Sequence, residues 1–307
     1  MTDGLVVTSP VPSSRLKDGY SRTMPVVVVT AVIIAVWYLA TIFLNTPFQK
    51  DIYLRGNNTS WTTSQLISDT MSQKRPVLPA PHQVIAEIYK TTVLKKITSK
   101  RSLIYHSWVT LSSTLVGFLI GSVLGILLAV GIVHSRTLDK SLMPWIISSQ
   151  TIPILAVAPM IIVVLNAIGI QGLLPKAFIS TYLSFFPITV GMVKGLRSPR
   201  VLHLDLMHTY SATRWQVFWK LRWPSSLPYL FASMKIAIAI AMVGAIVGEL
   251  PTGAVAGLGA RLLAGSYYGQ TIQIWSALVM AAFLAGSLVA LVGIANNYVN
   301  KRMGVTS

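Results

Sequence analysis

An all-α integral membrane protein with six membrane-spanning helices is the fold class that this sequence predicts, and three observations predict it. Of its 307 residues 53% are hydrophobic and only 11% are charged, less than half the ~25% usual in soluble domains, with a mean hydropathy of +0.65. Apolar runs of about 20 residues recur along the chain, each long enough to cross ~30 Å of hydrocarbon at 1.5 Å per residue. The 25 Lys and Arg, against 8 Asp and Glu, fall mainly between those runs. Basic loops facing anionic lipid account for that pattern, and no single basic cluster points to nucleic acid.

Residues 1–24 read as a flexible polar tail, with Pro10, Pro12, Arg15, Lys17 and Arg22. Pro25 to Leu44 is the first span: it is too long for the apolar region of a signal peptide, and no small-x-small cleavage site follows. Residues 45–105 form a mixed segment. Asn57-Asn58-Thr59-Ser60 there offers overlapping glycosylation sequons, a pattern that chance in a polar loop explains. Leu78-Pro79-Ala80-Pro81 then precedes an amphipathic helix with Val84, Ile85, Ile88, Tyr89, Val93 and Ile97 on one face.

Residues 106–303 are expected to form a five-helix core. Trp108 to Val133 is the second span, and Gly117, Gly121 and Gly125 mark a face that another helix approaches closely, by default one of the same chain, with a dimer contact as the alternative. Met143 to about Leu165 is the third, with Pro153 and Pro159 predicting a kink inside a bundle. The fourth runs from about Leu173 to Val193 and the fifth from Tyr229 to Val247. A Gly-rich connector over 249–272 leads to the sixth, Ile274 to Ile294.

Six spans place both termini on one side, together with the 134–142 turn and the 194–228 segment. These four segments hold thirteen Lys and Arg, whereas the connectors at 166–172 and 249–272 hold only Arg261. The asymmetry predicts cytoplasmic termini. The 45–105 segment, expected to be extracytoplasmic, opposes this with nine basic residues, but long loops count for less in the rule.

The most informative stretch is the polar island of residues 197–228. It carries Arg197, Arg200, Arg214, Lys220 and Arg222 against one acid, Asp205. Leu204, Met207, Ser211, Trp215, Phe218 and Trp219 fall near one helical stripe, and Pro224 and Pro228 are expected to stop that helix and start the next. In spacing, the island resembles the EAA loop of ABC-transporter permeases: Asp205-Leu206-Met207 stands at EAA, Ser211 at the following Gly, and Leu221-Arg222-Trp223-Pro224 at I-x-L-P. Asp replaces Glu, Leu-Met replaces Ala-Ala, Ser replaces Gly and Trp replaces Leu. Ser225-Ser226-Leu227-Pro228-Tyr229 and Lys235-Ile236-Ala237 resemble the continuation in the nitrate/sulfonate/taurine importer branch. So do Pro153, Ala156 and Pro159, and Gly257-Leu258-Gly259.

The resemblance implies a type I ABC importer permease in the bacterial inner membrane, whose cytoplasmic coupling helix docks on an ATP-binding subunit. Asp205, Ser211, Arg214, Trp215, Phe218, Trp219 and Pro224 would form that contact. It further implies an extracytoplasmic solute-binding protein, a second permease subunit as a homodimer, and solutes ranging from nitrate, sulfonates and taurine to thiamine precursors and riboflavin. An amphipathic helix lying on lipid is the competing reading of the island.

No Gly-Lys occurs, so there is no Walker A loop and ATP hydrolysis belongs to another chain. No HExxH, GxSxG or paired-acid site is present, no Cys is available for thiolate or zinc chemistry, and no metal or other cofactor is expected. Lys176, Lys194 and Lys235 lie near span ends, where they can snorkel. Glu249, at the exit of the fifth span, is costly unless paired. It reads either as a gate on the translocation path or as a cap paired with Arg261. Ser149 and Gln150, before Pro153, could line the path or join helices by hydrogen bonds. An ion-gradient-driven secondary transporter is the alternative. It calls for midplane acids and repeated broken helices, and the five scattered His do not form an enzyme site.

Overall fold

The computed structural model describes residues 15–56, 60–251 and 256–303. Residues 1–14 of the tail and Asn57, Asn58 and Thr59 of the sequons lie outside the described residues. The described chain is helical throughout, and it divides into two compact units, Met1–Gln83 and Val84–Ser307.

The first unit is built on α1 (Arg15–Arg55) and the short α2 (Thr63–Met71). The helix begins ten residues before Pro25, so the expected 25–44 span is the apolar middle of a longer rod. Its apolar side chains, among them Val26, Ile33 and Leu39, are exposed, as a lipid-facing helix requires. Asn45 is fully buried and holds the end of α2 and the irregular stretch that follows it to this rod. Its amide donates to the carbonyls of Thr70 (3.2 Å) and Leu78 (2.9 Å), and its oxygen accepts from the N–H groups of Val77 (2.8 Å) and Leu78 (3.1 Å). Both donors and both lone pairs are used, which makes a buried amide tolerable.

The second unit contains most of α3 (Pro81–Thr92) and α4 (Leu103–His134), α5 (Arg136–Ser149), α6 (Ile154–Ala167) and α7 (Leu173–Leu196). Then come α8 (Val201–Thr209), α9 (Arg214–Val217), a π-helical turn over Phe218–Arg222, α10 (Trp223–Gly248), α11 (Leu258–Tyr267) and α12 (Thr271–Arg302). Among the described residues five helical segments are long and apolar enough to cross a membrane, and the α5–α6 pair supplies a sixth if counted as one span.

The third span is broken rather than kinked: α5 and α6 meet at 100° across the Gln150–Pro153 break. Proline at 153 lacks an N–H and disfavours helix at Ile152, so the first helix cannot run through. The amphipathic α3 also departs from expectation. Val84 is buried and Ile88 packs on the core, but Ile85 and Tyr89 are exposed. Val93 and Ile97, also exposed, lie beyond the helix end.

Helix α7 is the centre of this unit, gripped between α4 and α10 by small residues. A Cβ on Gly117 would fall on Ser180, one on Gly121 on Ser184, and one on Gly125 would lie 2.9 Å from the Phe185 carbonyl. On the other side, Gly244 and Gly248 face Ser180 and Lys176. Lipid offers no hydrophobic drive between helices, so such close approach and its dispersion contacts hold them together. Gly121→Leu is therefore expected to lower the melting temperature in detergent, the overpacking costing about 1–3 kcal/mol or more. Gly286→Ala, with nothing within 4 Å of the added methyl, should leave it unchanged.

The stripe from Leu204 to Trp219 is not one helix. It ends at Thr209 and restarts at Arg214, with Ser211 between them at φ +52°. Thr213 restarts it through a capping box: its hydroxyl accepts from Gln216 N–H (3.3 Å) and Gln216 Oε1 accepts from Thr213 N–H (2.9 Å). Nor do Pro224 and Pro228 stop it. Helix α9, the π-turn and α10 form one continuous helical segment from Arg214 to Gly248. The π-turn lies just upstream of Pro224, where an ordinary α-turn would set the proline ring against the Lys220 carbonyl.

Candidate functional site

Two sites stand at the two ends of this segment. At one end, the loop of α8, α9 and the π-turn exposes an aromatic ladder. Trp215 packs on Phe218 (6.2 Å between centroids) and Trp219 (5.4 Å), and Trp223 follows at 6.0 Å from Phe218 and 5.5 Å from Trp219. Trp215 is 69% and Trp219 45% exposed. Phe218, expected on the open face with them, is only 6% exposed and belongs to the core. It is wedged against His134 of α4 at 5.3 Å, so it supports the ladder instead of presenting itself.

Asp205, Ser211 and Arg214 are exposed, and Pro224 is half-buried behind the ladder. Ser211 is the only non-glycine residue with positive φ among those described. Its place in the EAA pattern belongs to glycine, which takes that backbone geometry without a Cβ clash. Arg197 is held apart from the ladder by Asp139 at 2.8 Å.

At the other end, Glu249 follows the last residue of α10 and is completely buried. Thr110 Oγ1 of α4 lies 3.0 and 2.9 Å from its two carboxylate oxygens, and Gly259 N–H donates to Oε2 at 2.9 Å. Lys176 Nζ of α7 stands 3.8 Å from Oε1 and donates to the Ala256 carbonyl at 3.0 Å. Thr110 also accepts from Leu258 N–H (2.8 Å). His106, one turn earlier, accepts from Gly257 N–H at Nδ1 (3.0 Å), and its Nε2 faces the Lys100 carbonyl (3.0 Å). That pairing fixes the Nε2–H tautomer.

The 256–259 turn is thus pinned to α4, α7 and α10 at once. Gly257 makes this possible, because at φ +127° a Cβ would land on the Glu249 carboxylate. Burial pushes this carboxyl up to about 7, against the opposing pull of Lys176, the Gly259 N–H and Thr110.

Of the two readings of Glu249, the pair with Arg261 does not form. Arg261 faces Glu87 of α3 at 3.7 Å and donates to the Arg101 carbonyl at 3.2 Å, while Glu249 takes Lys176, a residue read from the sequence as snorkelling. Thr110 and His106 were missed. Their i, i+4 spacing, continued by Thr114, was the signal available.

Ser149 and Gln150 sit at the α5–α6 break, away from this node. Ser149 Oγ donates to the Ile146 carbonyl (2.7 Å), its own carbonyl accepts from Tyr182 of α7, and Gln150 is exposed. Among the described residues no group of three or more His, Cys, Asp or Glu is placed to hold a metal.

Comparison with known proteins bears on both ends. Residues 121–305 match the family described as binding-protein-dependent transport system inner membrane component. The chain is 34% identical to the formylaminopyrimidine transport permease ThiX of Halalkalibacterium halodurans, over 63% of this chain and 72% of that one. It is 33% identical to the riboflavin transport system permease RibX of Chloroflexus aurantiacus, over 71% and 77%. A nitrate import permease, NrtB of Leptolyngbya laminosa, matches at 24% over 69% and 76%. Among solved structures, the inward-facing MetNI methionine ABC transporter shares the fold with a TM-score of 0.54, at 21% identity, covering 65% of this chain and 94% of that one.

Proposed function

Because the chain belongs to the binding-protein-dependent transport system inner membrane components, the permeases of ABC importers, we propose that its two sites are the coupling and gating ends of one transport device. Membership makes it a multi-pass inner-membrane permease that works with an ATP-binding subunit and a solute-binding protein. The continuous helix from Arg214 to Gly248 is the observation that carries the proposal. At 1.5 Å per residue its 35 residues form a rod of about 52 Å, with the exposed ladder at one end and the buried Glu249 node at the other.

In this reading Trp215 and Trp219 dock on the ATP-binding subunit, with Asp205, Arg214 and the Ser211 turn around them. Phe218 and Pro224 hold the ladder in place. ATP binding favours one membrane conformation only through contacts that differ between the two conformations. The rod carries that difference to the turn over 256–259. Glu249 then acts as the latch of the gate, and Ser149 and Gln150 mark a flexing point of the broken third span. A second copy of the chain completes the pathway. Two relatives above 30% identity are named for a pyrimidine and for riboflavin, which favours a heterocyclic solute over nitrate, a sulfonate or taurine.

The arrangement requires the ladder on the cytoplasmic face and the node on the outer face, with both termini inside. A reporter fused near residue 210 is expected to behave as cytoplasmic and one near residue 260 as external. The opposite pair of signals would invert the topology and remove the coupling role.

A further inference from the structure

On the loop side, the end of α4, helix α8 and the α9–π segment enclose a half-open groove of about 350 Å³, within the size range of small-molecule sites. Four of its lining residues are basic: His134, His208, Arg214 and Arg222. No Asp or Glu lines it, and the nearby Asp139 is already spent on Arg197 at 2.8 Å. The groove therefore holds two guanidinium charges, Arg214 and Arg222, with no counter-charge of its own. In a recess partly shielded from water that arrangement is unfavourable when empty and favourable around an anion.

Two of these side chains, His134 and Arg222, are also held in place. His134 Nδ1 faces the Val130 carbonyl at 2.8 Å, and the ring is braced by Phe218 at 5.3 Å. Since a carbonyl can only accept, Nδ1 carries the proton there, and Nε2 is the ring nitrogen left for a ligand. Nε2 accepts from an acidic O–H or, when protonated, donates. Arg222 is anchored weakly by one bond, Nη1 to the Leu196 carbonyl at 3.4 Å, which leaves most of its donor fork open. Val133, Leu204 and Val217 supply an apolar wall.

We infer that this groove binds a small oxyanion, a free phosphate or carboxylate-bearing solute held by His134, His208, Arg214 and Arg222. Guanidinium groups suit such ligands because their N–H forks match two oxygens at once. An occupant would tie α4 to α8 and α9 and so fix the attitude of the loop. This inference concerns the permease alone: it shares Arg214 with the proposed docking face but does not require the docking to hold.

The test uses the full-length permease, purified without its ATP-binding subunit in an uncharged detergent. Binding of radiolabelled inorganic phosphate is measured by equilibrium dialysis at constant ionic strength. Saturable binding is expected, weakened about tenfold or more in a His208→Gln, Arg222→Gln double variant and unchanged in Lys301→Gln, a positive charge at the end of α12 that does not line the groove. If the double variant has lost its thermal transition, His208→Gln alone is read, since His208 is exposed on α8. Absent or non-saturable binding by the wild type, or wild-type affinity in the folded variant, overturns the site. So does full displacement of phosphate by added ATP-binding subunit, which would assign the groove to a carboxylate of that partner. Phosphate retained in the permease–ATPase complex supports the free-anion site.

Discussion

Gly257→Ala is expected to abolish solute uptake while leaving the permease attached to its ATP-binding subunit. The added methyl falls on the Glu249 carboxylate, at a φ of +127° that side-chain-bearing residues rarely adopt. The carboxylate has nowhere to retreat, since Thr110, Gly259 and Lys176 hold it from three directions. Either the turn lifts off, stranding the His106, Thr110 and Lys176 partners, or Glu249 is pushed out of the node. A buried polar group left without its bond costs about 1–3 kcal/mol, and several are involved at once. The loop lies at the far end of the rod, so docking should survive.

Glu249→Gln is the milder companion. It keeps the side chain's shape and removes the charge facing Lys176, so uptake should fall while abundance holds if the node works as a latch. If the pair serves stability alone, Glu249→Gln should instead reduce folded permease, and adding Lys176→Met should restore much of it. The readouts are uptake per inserted permease and co-purification with the ATPase. Normal uptake by Gly257→Ala would exclude the node from the transport cycle.

The helical fold, the apolar spans and the glycine face of α4 were legible in the sequence because each is a local pattern: run length, charge spacing and a repeat of small residues. The contacts that build the node were not. Glu249 finds Thr110 and Lys176 from distant parts of the chain, and sequence proximity pointed to Arg261 instead. Lys176 near a span end looks the same on paper whether it snorkels or turns inward. The π-turn escaped for a different reason. A proline such as Pro224 ordinarily ends a helix, and the widened turn before it lets α9 run into α10, which then carries Pro228 in its interior. Gly257 could be singled out by its motif, but its left-handed backbone, and the carboxylate filling the space beside it, belong to the folded chain.

The loop gives the second large effect. Trp215 and Trp219 are 69% and 45% exposed on a segment whose start is fixed by a capping box and whose end is continuous with α10. Their positions are thus pre-organised, and little ordering cost remains for binding to meet. At ~25 cal/mol per Å², covering much of one such indole contributes on the order of 2–3 kcal/mol before association costs, the scale of an interface hot spot. Trp215→Ala is expected to weaken ATPase binding about tenfold or more, and Trp215→Ala with Trp219→Ala to abolish co-purification in detergent. Arg214→Gln and Lys220→Gln, at exposed positions, should cost less and only at low salt.

Phe218→Ala should behave differently. Its ring is buried, so its removal leaves a cavity and destabilises the permease by about 3–5 kcal/mol, seen as a lowered melting temperature before any ATPase is added. Detergent decides between docking and the lipid-surface alternative, because it removes the bilayer from the comparison. A helix that merely lies on lipid would let the double tryptophan variant retain its ATPase and lose only affinity for anionic vesicles. Undiminished co-purification of that variant, with its melting temperature intact, would sink the docking role of the loop.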